Sequence, residues 1–221
     1  MKGALFDLDG VIADTAAYHF DAWKKLVKKH FKADLPVELE EEMKGLSRKD
    51  SLQVILDYLD IEVSEEQFTY LADEKNRIYM DMLKHLTKSD ILPGITQLII
   101  EFKKHKIKLA LASASQNGPI ILEKLGLSTV FDVIVDPSKI AKGKPAPDIY
   151  LAASEALHLA PSDCIGIEDS VAGITAINDA GSISIAVGGI ELNHAHKRFN
   201  STTDLNFSKI EKIWASNHRK C

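Results

Sequence analysis

The chain has 221 residues, of which 45% are hydrophobic and 27% charged, and its formal net charge is −5. This is the balance of an ordinary folded protein, and a negative net charge gives no electrostatic reason to expect nucleic acid or an anionic membrane as a partner. The two cysteines, Cys164 and Cys221, are too few for a disulfide framework or a zinc site. Asp7 and Asp9 interrupt the apolar run that a signal peptide needs, and no stretch approaches the ~20 apolar residues of a membrane-spanning helix. The sequence therefore favours a cytoplasmic, monomeric protein whose partners are small molecules.

The first half of the chain is predicted to be one strand followed by helices. A short buried strand is predicted over residues 4–8, and it ends in Asp-Gly. Apolar residues then recur at a helical period over residues 16–30. Three further helices are predicted over 37–44, 50–60 and 65–86. Ser47 and Ser64 each stand three residues before a polar partner, Asp50 and Gln67, as at a helix start of the capping-box type.

After residue 92, strands and helices alternate. The predicted strands are 107–112, 133–135, 164–167 and 183–187, and the predicted helices are 94–105, a short one that ends at Gly126, 147–158 and 170–180. Such alternation implies a parallel sheet with helices on both faces. We therefore predict an α/β fold in which a Rossmann-like parallel-sheet core, residues 1–15 and 88–221, carries an inserted α-helical cap domain, residues 16–87. The polar run of residues 190–199 leaves the last strand and helix, and the structure of residues 190–206, open. His194 and His196 in this run could suggest a metal site but are interpreted as part of an exposed loop.

Two acids stand at the end of the first predicted strand, in the run Asp7-Leu8-Asp9-Gly10. In an extended strand, residues two apart point to the same side, so both carboxylates are expected at the carboxyl end of the strand. Ligands bind at that end of open α/β sheets. One acid can then serve as nucleophile and metal ligand while the other exchanges a proton with a substrate oxygen. Taken alone, the pair does not outweigh the alternative of a solvated strand end.

Three more polar segments follow other predicted strands. Ser113 follows the strand 107–112, and its hydroxyl and the nearby backbone N–H groups could hold phosphate oxygens, although Ser113 taken singly is more typical of a plain turn residue. Lys144 precedes a proline-rich turn and offers a point charge suited to phosphate, or is simply a surface lysine. Glu168 and Asp169 end the strand 164–167, where they either complement a helix dipole or hold Mg²⁺, which prefers such oxygen ligands.

The four segments occur in the order Asp-x-Asp, Ser, Lys, Glu-Asp, and in that order they resemble the haloacid dehalogenase superfamily of phosphotransferases over the whole core. The resemblance implies that Asp7 is a nucleophile that forms an aspartyl phosphate and that Asp9 is the general acid and base. It assigns Ser113, Ala114 and Lys144 to the transferring phosphoryl group. It also implies Mg²⁺ as the cofactor, among Asp7, the backbone carbonyl of Asp9, Glu168 and Asp169. Dehalogenases of this superfamily lack the second acid, so Asp9 argues against carbon–halogen chemistry.

Two cap segments bear on the substrate. Thr15, His19 and Trp23 recur every fourth position and so share one stripe of the first cap helix. His19 there is either a packing residue or a link between the cap and the acid/base. Arg48 follows the predicted N-cap, and an arginine at a helix start is a ready phosphate site, although a solvated arginine is an equal alternative.

Segments 14–24, 44–52 and 112–119 narrow the resemblance to the bacterial β-phosphoglucomutases, a family of sugar phosphomutases, and the match extends from residue 1 to about 188. It implies interconversion of β-D-glucose 1-phosphate and D-glucose 6-phosphate through β-glucose 1,6-bisphosphate. Arg48 would hold the phosphate that is not transferred. The sugar site would be formed by His19, Trp23, Gly45, Lys75, Ser115 and Asn117.

Three other functions compete with this one. A sugar-phosphate phosphatase of the same superfamily would use the same Asp7 chemistry with water as the final acceptor, and the core residues do not separate the two. A phosphonate hydrolase with a Schiff-base lysine is disfavoured by the glucose-type cap. A non-catalytic phosphosugar sensor is disfavoured because Asp7, Asp9, Lys144 and Asp169 are all present.

Overall fold

The computed structural model describes residues 1–218, so Cys221 lies outside the described residues. Its strands are β1 (Gly3–Phe6), β2 (Lys108–Leu111), β3 (Val133–Ile134), β4 (Cys164–Glu168), β5 (Ile183–Val187) and β6 (Lys197–Phe199). They form one parallel sheet in the order β3-β2-β1-β4-β5-β6. The predicted α/β class is therefore confirmed, and β6 is the strand that the sequence left open.

The helices match the predicted ones closely. They are α1 (Ala16–Phe31), α2 (Glu38–Met43), α3 (Arg48–Leu59), α4 (Glu65–Met82), α5 (Ile95–Lys104), α6 (Gly118–Lys124), α7 (Asp148–Ala156), α8 (Val171–Asp179) and α9 (Phe207–His218). The largest difference is at the end of α4, which was predicted to reach residue 86. There α4 ends at Met82, and a short 3₁₀ turn, Leu83–His85, continues the chain.

Successive strand residues point to opposite faces of the sheet, and apolar side chains cover both faces. Phe6 of β1 faces one apolar cluster, where its ring meets Phe102 of α5 edge to face at 6.0 Å. Leu5 faces the other cluster, which contains Tyr150 of α7 and Ile177 of α8. With both faces covered, ligands can reach this sheet only at its edges and at the ends of its strands.

Helices α1 to α4 pack around an apolar cluster of their own. Its buried members include Trp23, Leu26, Leu52 and Leu71. The predicted starts of α3 and α4 are confirmed, since Ser47 Oγ and Ser64 Oγ each accept a backbone N–H three residues on, at 3.2 Å. The exact division into a cap of residues 16–87 and a core of 1–15 and 88–221 stays a prediction. None of the helices within residues 1–218 combines the length and apolarity that a bilayer-spanning helix needs.

Candidate active site

The site begins in the turn after β1. The predicted strand was two residues too long, because β1 ends at Phe6 and the chain then folds back on itself. The carbonyl of Leu8 accepts the N–H groups of Ile12 and Ala13 at 2.8 and 3.1 Å. Asp9 therefore lies in a tight turn, whereas Asp7 stands just before it and still donates its N–H to the carbonyl of Ile167 at 3.0 Å. Both acids nevertheless line the same cavity, as the sequence predicted.

Asp7 is held by a buried lysine. Lys144 Nζ donates to Asp7 Oδ1 at 2.6 Å and to Glu168 Oε2 at 2.8 Å. The Lys144 side chain is fully buried, so the surface-lysine reading is wrong. Tyr150, which sequence reasoning missed, donates its hydroxyl to the same Glu168 oxygen at 2.5 Å. One cation is thus shared by two buried carboxylates at the end of the sheet.

Asp7, Glu168 and Asp169 form a cluster that can hold a metal ion. One carboxylate oxygen from each lies within 4.8 Å of the other two. Burial, and then the neighbouring charge of Glu168, raise the pKa of Asp7 to about 7 against the opposing charge of Lys144. Burial and the same acidic neighbours raise the pKa of Asp169 well above its usual value. The single positive charge of Lys144 therefore does not balance the three carboxylates. A divalent cation, which prefers oxygen ligands, would compensate the remaining negative charge.

The three carboxylates are not equally available to such an ion. Glu168 Oε2 accepts from Lys144 and Tyr150, and Glu168 Oε1 accepts from the hydroxyl of Ser170 at 2.7 Å. A direct bond from Glu168 to a metal ion would need one of these contacts to rearrange. Asp7 and Asp169 both line the cavity, whereas Glu168 lies behind it. These carboxylate ligands suit a hard divalent cation, and Asp7 and Asp169 are the two best placed to contact it.

Asp9 faces the cap. Thr15 Oγ1 donates to Asp9 Oδ1 at 2.6 Å, and the Tyr79 hydroxyl donates to the same oxygen at 3.3 Å. His19 Nε2 lies 3.5 Å from that oxygen, and the His19 ring stacks on Tyr79 at 3.9 Å between centroids. Burial favours the neutral acid, but His19 and Thr15 outweigh it and lower the pKa of Asp9. The carboxylate is therefore ionised and oriented.

His19 continues the contact to a buried lysine. Lys75 Nζ lies 2.7 Å from His19 Nδ1 and 4.9 Å from the centre of the Trp23 ring. Lys75 is only 2% exposed, and burial lowers its pKa to about 7. Burial, and then the charge of Lys75, also lower the pKa of His19. His19 is thus no mere packing residue, because it joins Asp9 of the core to Lys75 of α4.

A loop of short polar residues follows β2. Ser113 Oγ accepts the N–H of Ser115 at 3.1 Å, and Ser115 Oγ accepts the N–H of Asn117 at 3.3 Å. These bonds hold the loop in a compact turn that leads directly into α6. Ser113, Ala114, Ser115 and Asn117 all line the cavity. The loop is placed to present hydroxyl and N–H groups to an anion near Asp7.

The opposite wall of the cavity comes from the cap. Gly45 has a φ of +76°, and a Cβ built on it would lie 2.4 Å from Ser170 Oγ, so the cap loop rests directly on the core. Arg48 stands at the first position of α3, and its Nη2 donates to Gln116 Oε1 at 3.0 Å. Gln116 belongs to the loop after β2. The cap is therefore closed over the core, with an arginine at the seam.

The cavity has a volume of about 580 Å³ and brings together every predicted site residue except Glu168. One placement was wrong. Lys144 does not follow a strand directly but lies far beyond β3 in a loop before α7. Tyr79, Tyr150, Gln116 and Asn76 were missed. Tyr79 could have been predicted because it lies one helical turn after Lys75. Nothing in the neighbouring sequence marks the other three residues.

The chain is similar in sequence and structure to several known proteins. Residues 1–181 match the haloacid dehalogenase-like hydrolase family. The chain is 42% identical to the β-phosphoglucomutase of Bacillus subtilis (strain 168), over 97% of this chain and 96% of that protein. It is 31% identical to a phosphorylated carbohydrates phosphatase of Thermotoga maritima, over 82% of each. The crystal structure of a β-phosphoglucomutase from Clostridium difficile superposes with a TM-score of 0.95 at 42% identity and covers 98% of both chains.

Proposed function

Since the chain belongs to the haloacid dehalogenase-like hydrolase family, we propose that it acts as a β-phosphoglucomutase. The reaction interconverts β-D-glucose 1-phosphate and D-glucose 6-phosphate through an aspartyl-phosphate enzyme and β-glucose 1,6-bisphosphate. The activity is that of an isomerase, because the phosphoryl group only changes position on the sugar. This proposal is supported by 42% identity to a β-phosphoglucomutase over nearly the full length of the chain.

One observation about the cavity carries the proposal. The cavity has a basic group at two separate places, Lys144 beside Asp7 on the core side and Arg48 on the cap side. A bisphosphorylated sugar needs two such places, one for the phosphoryl group that moves and one for the phosphate that stays. A phosphatase that acts on monophosphates has no need for the second. Arg48 can accept either phosphate of the bisphosphate, so the sugar can bind in both directions.

Asp7 supplies the nucleophile. One of its oxygens bonds to phosphorus while the bond between phosphorus and the sugar oxygen breaks, and the transferring oxygens lie against Lys144 and the Ser113–Ala114 turn. Burial and the charge of Glu168 raise the pKa of Asp7 to about 7 even with Lys144 beside it, so a further cation would favour the ionised form that attacks. Mg²⁺, held by Asp7, Asp169, Glu168 and the carbonyl of Asp9, would supply further positive charge for the approach of two anions.

Asp9 moves the proton. The ionised Asp9 first takes a proton from the sugar hydroxyl that attacks the aspartyl phosphate, and in the second half-reaction it returns that proton to the sugar oxygen as the bond between that oxygen and phosphorus breaks. One residue serves both steps because the half-reactions mirror each other. Thr15 and His19 orient the carboxylate. The closed cap excludes water, which would otherwise hydrolyse the aspartyl phosphate.

The remaining predicted roles are part of the same proposal. His19, Trp23, Gly45, Lys75, Ser115 and Asn117 are proposed to shape the sugar site, and all of them line the cavity. A cytoplasmic location and a monomeric state remain predictions.

The test is a coupled assay with pure β-glucose 1-phosphate, Mg²⁺ and a trace of β-glucose 1,6-bisphosphate. We expect glucose 6-phosphate to form with little release of inorganic phosphate. The α anomer, run in parallel, should give no product. Steady release of inorganic phosphate in place of glucose 6-phosphate would assign the chain to the phosphatases.

The role of Arg48 has its own test in Arg48→Ala. Loss of the cap arginine should lower phosphate exchange between C1 and C6 at least ~100-fold, since one charged contact to a phosphate is removed from the transition state. Hydrolysis of acetyl phosphate, which has no second phosphate, should change less than about threefold. Equal losses in both assays would contradict the assignment.

A further inference from the structure

We propose that Asn76 is a positioning residue that holds Asn117 across the seam between cap and core and so keeps the cap closed during phosphoryl transfer. The inference rests on the proposed function and adds a residue that acts through Asn117. Asn117 Nδ2 donates to Asn76 Oδ1 at 2.9 Å, and this bond joins the loop after β2 to the middle of α4. Asn76 is half-buried and lies at the cavity wall.

Two hydrogen bonds cross the seam from consecutive core residues. Gln116 accepts from Arg48 of α3, and Asn117 donates to Asn76 of α4. The same core loop is therefore tied to two different cap helices. That loop also carries Ser113 and Ser115, so whatever positions it also positions groups at the phosphate site.

The two bonds differ in what a substrate does to them. Arg48 is a cation that contacts a neutral amide oxygen, and a phosphate oxygen is the stronger partner for it. Binding of a bisphosphate should therefore exchange the bond to Gln116 for bonds to phosphate. Asn76 and Asn117 are both neutral amides, each with a donor and an acceptor, and a phosphate gains nothing comparable by replacing that pair. Of the two bonds to this core loop, the Asn76–Asn117 bond is thus the one that can persist while substrate is bound.

The position of Asn76 in α4 supports a specific role. Asparagine is a poor helix former, and mid-helix positions favour residues such as leucine, lysine or glutamine. The preceding residue, Lys75, reaches His19 and through it Asp9. α4 therefore reaches the proton-transfer group through Lys75 and His19, and it contacts the sugar-site loop with the next residue. A bond at Asn76 ties cap closure to the geometry of both.

The first test compares Asn76→Leu with Gln53→Leu. Leucine has as many side-chain heavy atoms as asparagine and favours a helix, but it forms no hydrogen bond to Asn117. The control residue, Gln53, is an exposed cap amide that bonds within α3, to Asp57 at 2.7 Å. We expect Asn76→Leu to raise the ratio of inorganic phosphate released to glucose 6-phosphate formed by roughly fivefold, the change expected from one lost hydrogen bond in the closing equilibrium. Gln53→Leu should keep the wild-type ratio. An unchanged ratio in a folded Asn76→Leu protein would overturn the proposal.

Asn76→Asp provides the rescue. Its carboxylate keeps the oxygen that accepts from Asn117, so the ratio should return to within about twofold of wild type even if the added charge raises KM. A ratio as high in Asn76→Asp as in Asn76→Leu would contradict a role for this hydrogen bond.

A double variant asks whether Asn76 acts through Asn117. If it does, Asn76→Leu combined with Asn117→Leu should have the same kcat/KM as Asn117→Leu alone, because the bond is already absent. If instead the double variant loses kcat/KM by the product of the two single losses, Asn76 contacts the sugar independently and the positioning role is overturned.

Hydrogen exchange gives a readout that does not depend on turnover. Segment 113–118 should exchange faster in Asn76→Leu than in wild type, and at the wild-type rate in Gln53→Leu. Unchanged exchange of this segment in Asn76→Leu would count against the proposal. The outcome is separable from the proposed function, because that function fails if the wild-type protein forms no glucose 6-phosphate, whereas exchange of the segment reports on the seam in either case.

Discussion

At the scale of single residues, the site depends on one cation placed between two carboxylates. Lys144 contacts Asp7 and Glu168, and all three side chains are buried. Asp7 and Glu168 raise the pKa of Lys144 well above its usual value against the effect of burial, so the lysine stays charged. A charge that is paired on both sides in a buried site is costly to remove.

Lys144→Met should therefore damage stability as well as catalysis. We expect activity to fall at least ~100-fold and the free energy of unfolding to fall by about 3 to 5 kcal/mol at about pH 8, because two buried carboxylates lose their cation. The loss should shrink at about pH 5, where Asp7 can take up a proton. Urea unfolding at both pH values measures it, with Lys142→Met, an exposed lysine two residues away, as the control. Wild-type stability of Lys144→Met at alkaline pH would contradict the role of the lysine.

The raised pKa of Asp7 also predicts how Mg²⁺ acts on stability. In the folded protein this pKa is about 7, above the usual 3.8, so between those values the folded form holds a proton that the unfolded chain has released. Without metal, the stability contributed by this group is present at low pH and is lost as the pH rises through about 7. Mg²⁺ binds the ionised form and should raise Tm more at about pH 8 than at about pH 5. Asp169→Asn should weaken this difference, and an equal rise in Tm at both pH values would exclude a metal site here.

At the scale of helices and strands, the start of a helix can place a residue at the site. Ser47 and Ser64 cap α3 and α4 in the same way, each with a hydrogen bond of 3.2 Å to the third residue on. They differ in what stands next to them. The first residue of α3 is Arg48, which lines the cavity, whereas α4 begins with Glu65 far from it. The same local motif thus caps both helices, and in α3 it also precedes the proposed phosphate-binding residue.

Ser47→Ala and Ser64→Ala separate these two contributions. Each should lower the free energy of unfolding by about 1 kcal/mol, since each removes one N-cap bond. Only Ser47→Ala should raise KM for glucose 1-phosphate, by roughly threefold or more, because fraying of the first turn of α3 loosens Arg48. Thermal unfolding and steady-state kinetics of both variants provide the measurements. Equal effects on KM would show that the cap of α3 does not position Arg48.

At the scale of the whole molecule, the closed cap is what turns a phosphoryl-transfer centre into an enclosed cavity. The cap has its own apolar cluster and contacts the core through a few close approaches. Gly45 against Ser170 is among the closest of these. A side chain at that position would hold the two halves apart without disturbing the interior of either.

Gly45→Ala should therefore act on closure and not on folding. A Cβ at Gly45 would lie 2.4 Å from Ser170 Oγ, whereas one at Gly181, which also has a positive φ, would meet nothing within 4 Å. Both substitutions strain the backbone by about 1 kcal/mol, but only Gly45→Ala is expected to lower mutase activity more than about tenfold. It should also enlarge the radius of gyration of the bisphosphate-bound enzyme in solution scattering. Similar activity of the two variants would show that closure does not need this contact.

Much of the site could be predicted from sequence because its members lie in local patterns. Asp7 and Asp9 end an apolar strand, Arg48 follows a capping serine, and Ser113 follows an alternating apolar run. Each pattern reports a strand end or a helix start, which neighbouring residues determine. The error at Leu8, where a strand was predicted and a turn is found, arose because alternation alone does not show where a turn closes.

Other parts of the site had no such signal. Gln116, Asn76 and Tyr150 are common residue types in unremarkable positions, and their importance comes only from what lies opposite them. Lys144 and Asp7 are 137 positions apart in the chain, yet they share a hydrogen bond of 2.6 Å. Pairings over such distances depend on how helices and strands pack, and a single sequence does not reveal them.

The sequence by itself determined the order of strands and helices as far as β5, the candidate site residues and the family resemblance, because periodicity, turn residues and short motifs are local properties of the chain. The tertiary structure alone decided which carboxylate meets which cation, that Asp9 faces the cap and not the metal cluster, and which amides meet across the seam. The reason is physical: burial and distance set the strength of a charge or a hydrogen bond, and both exist only once remote segments have packed together.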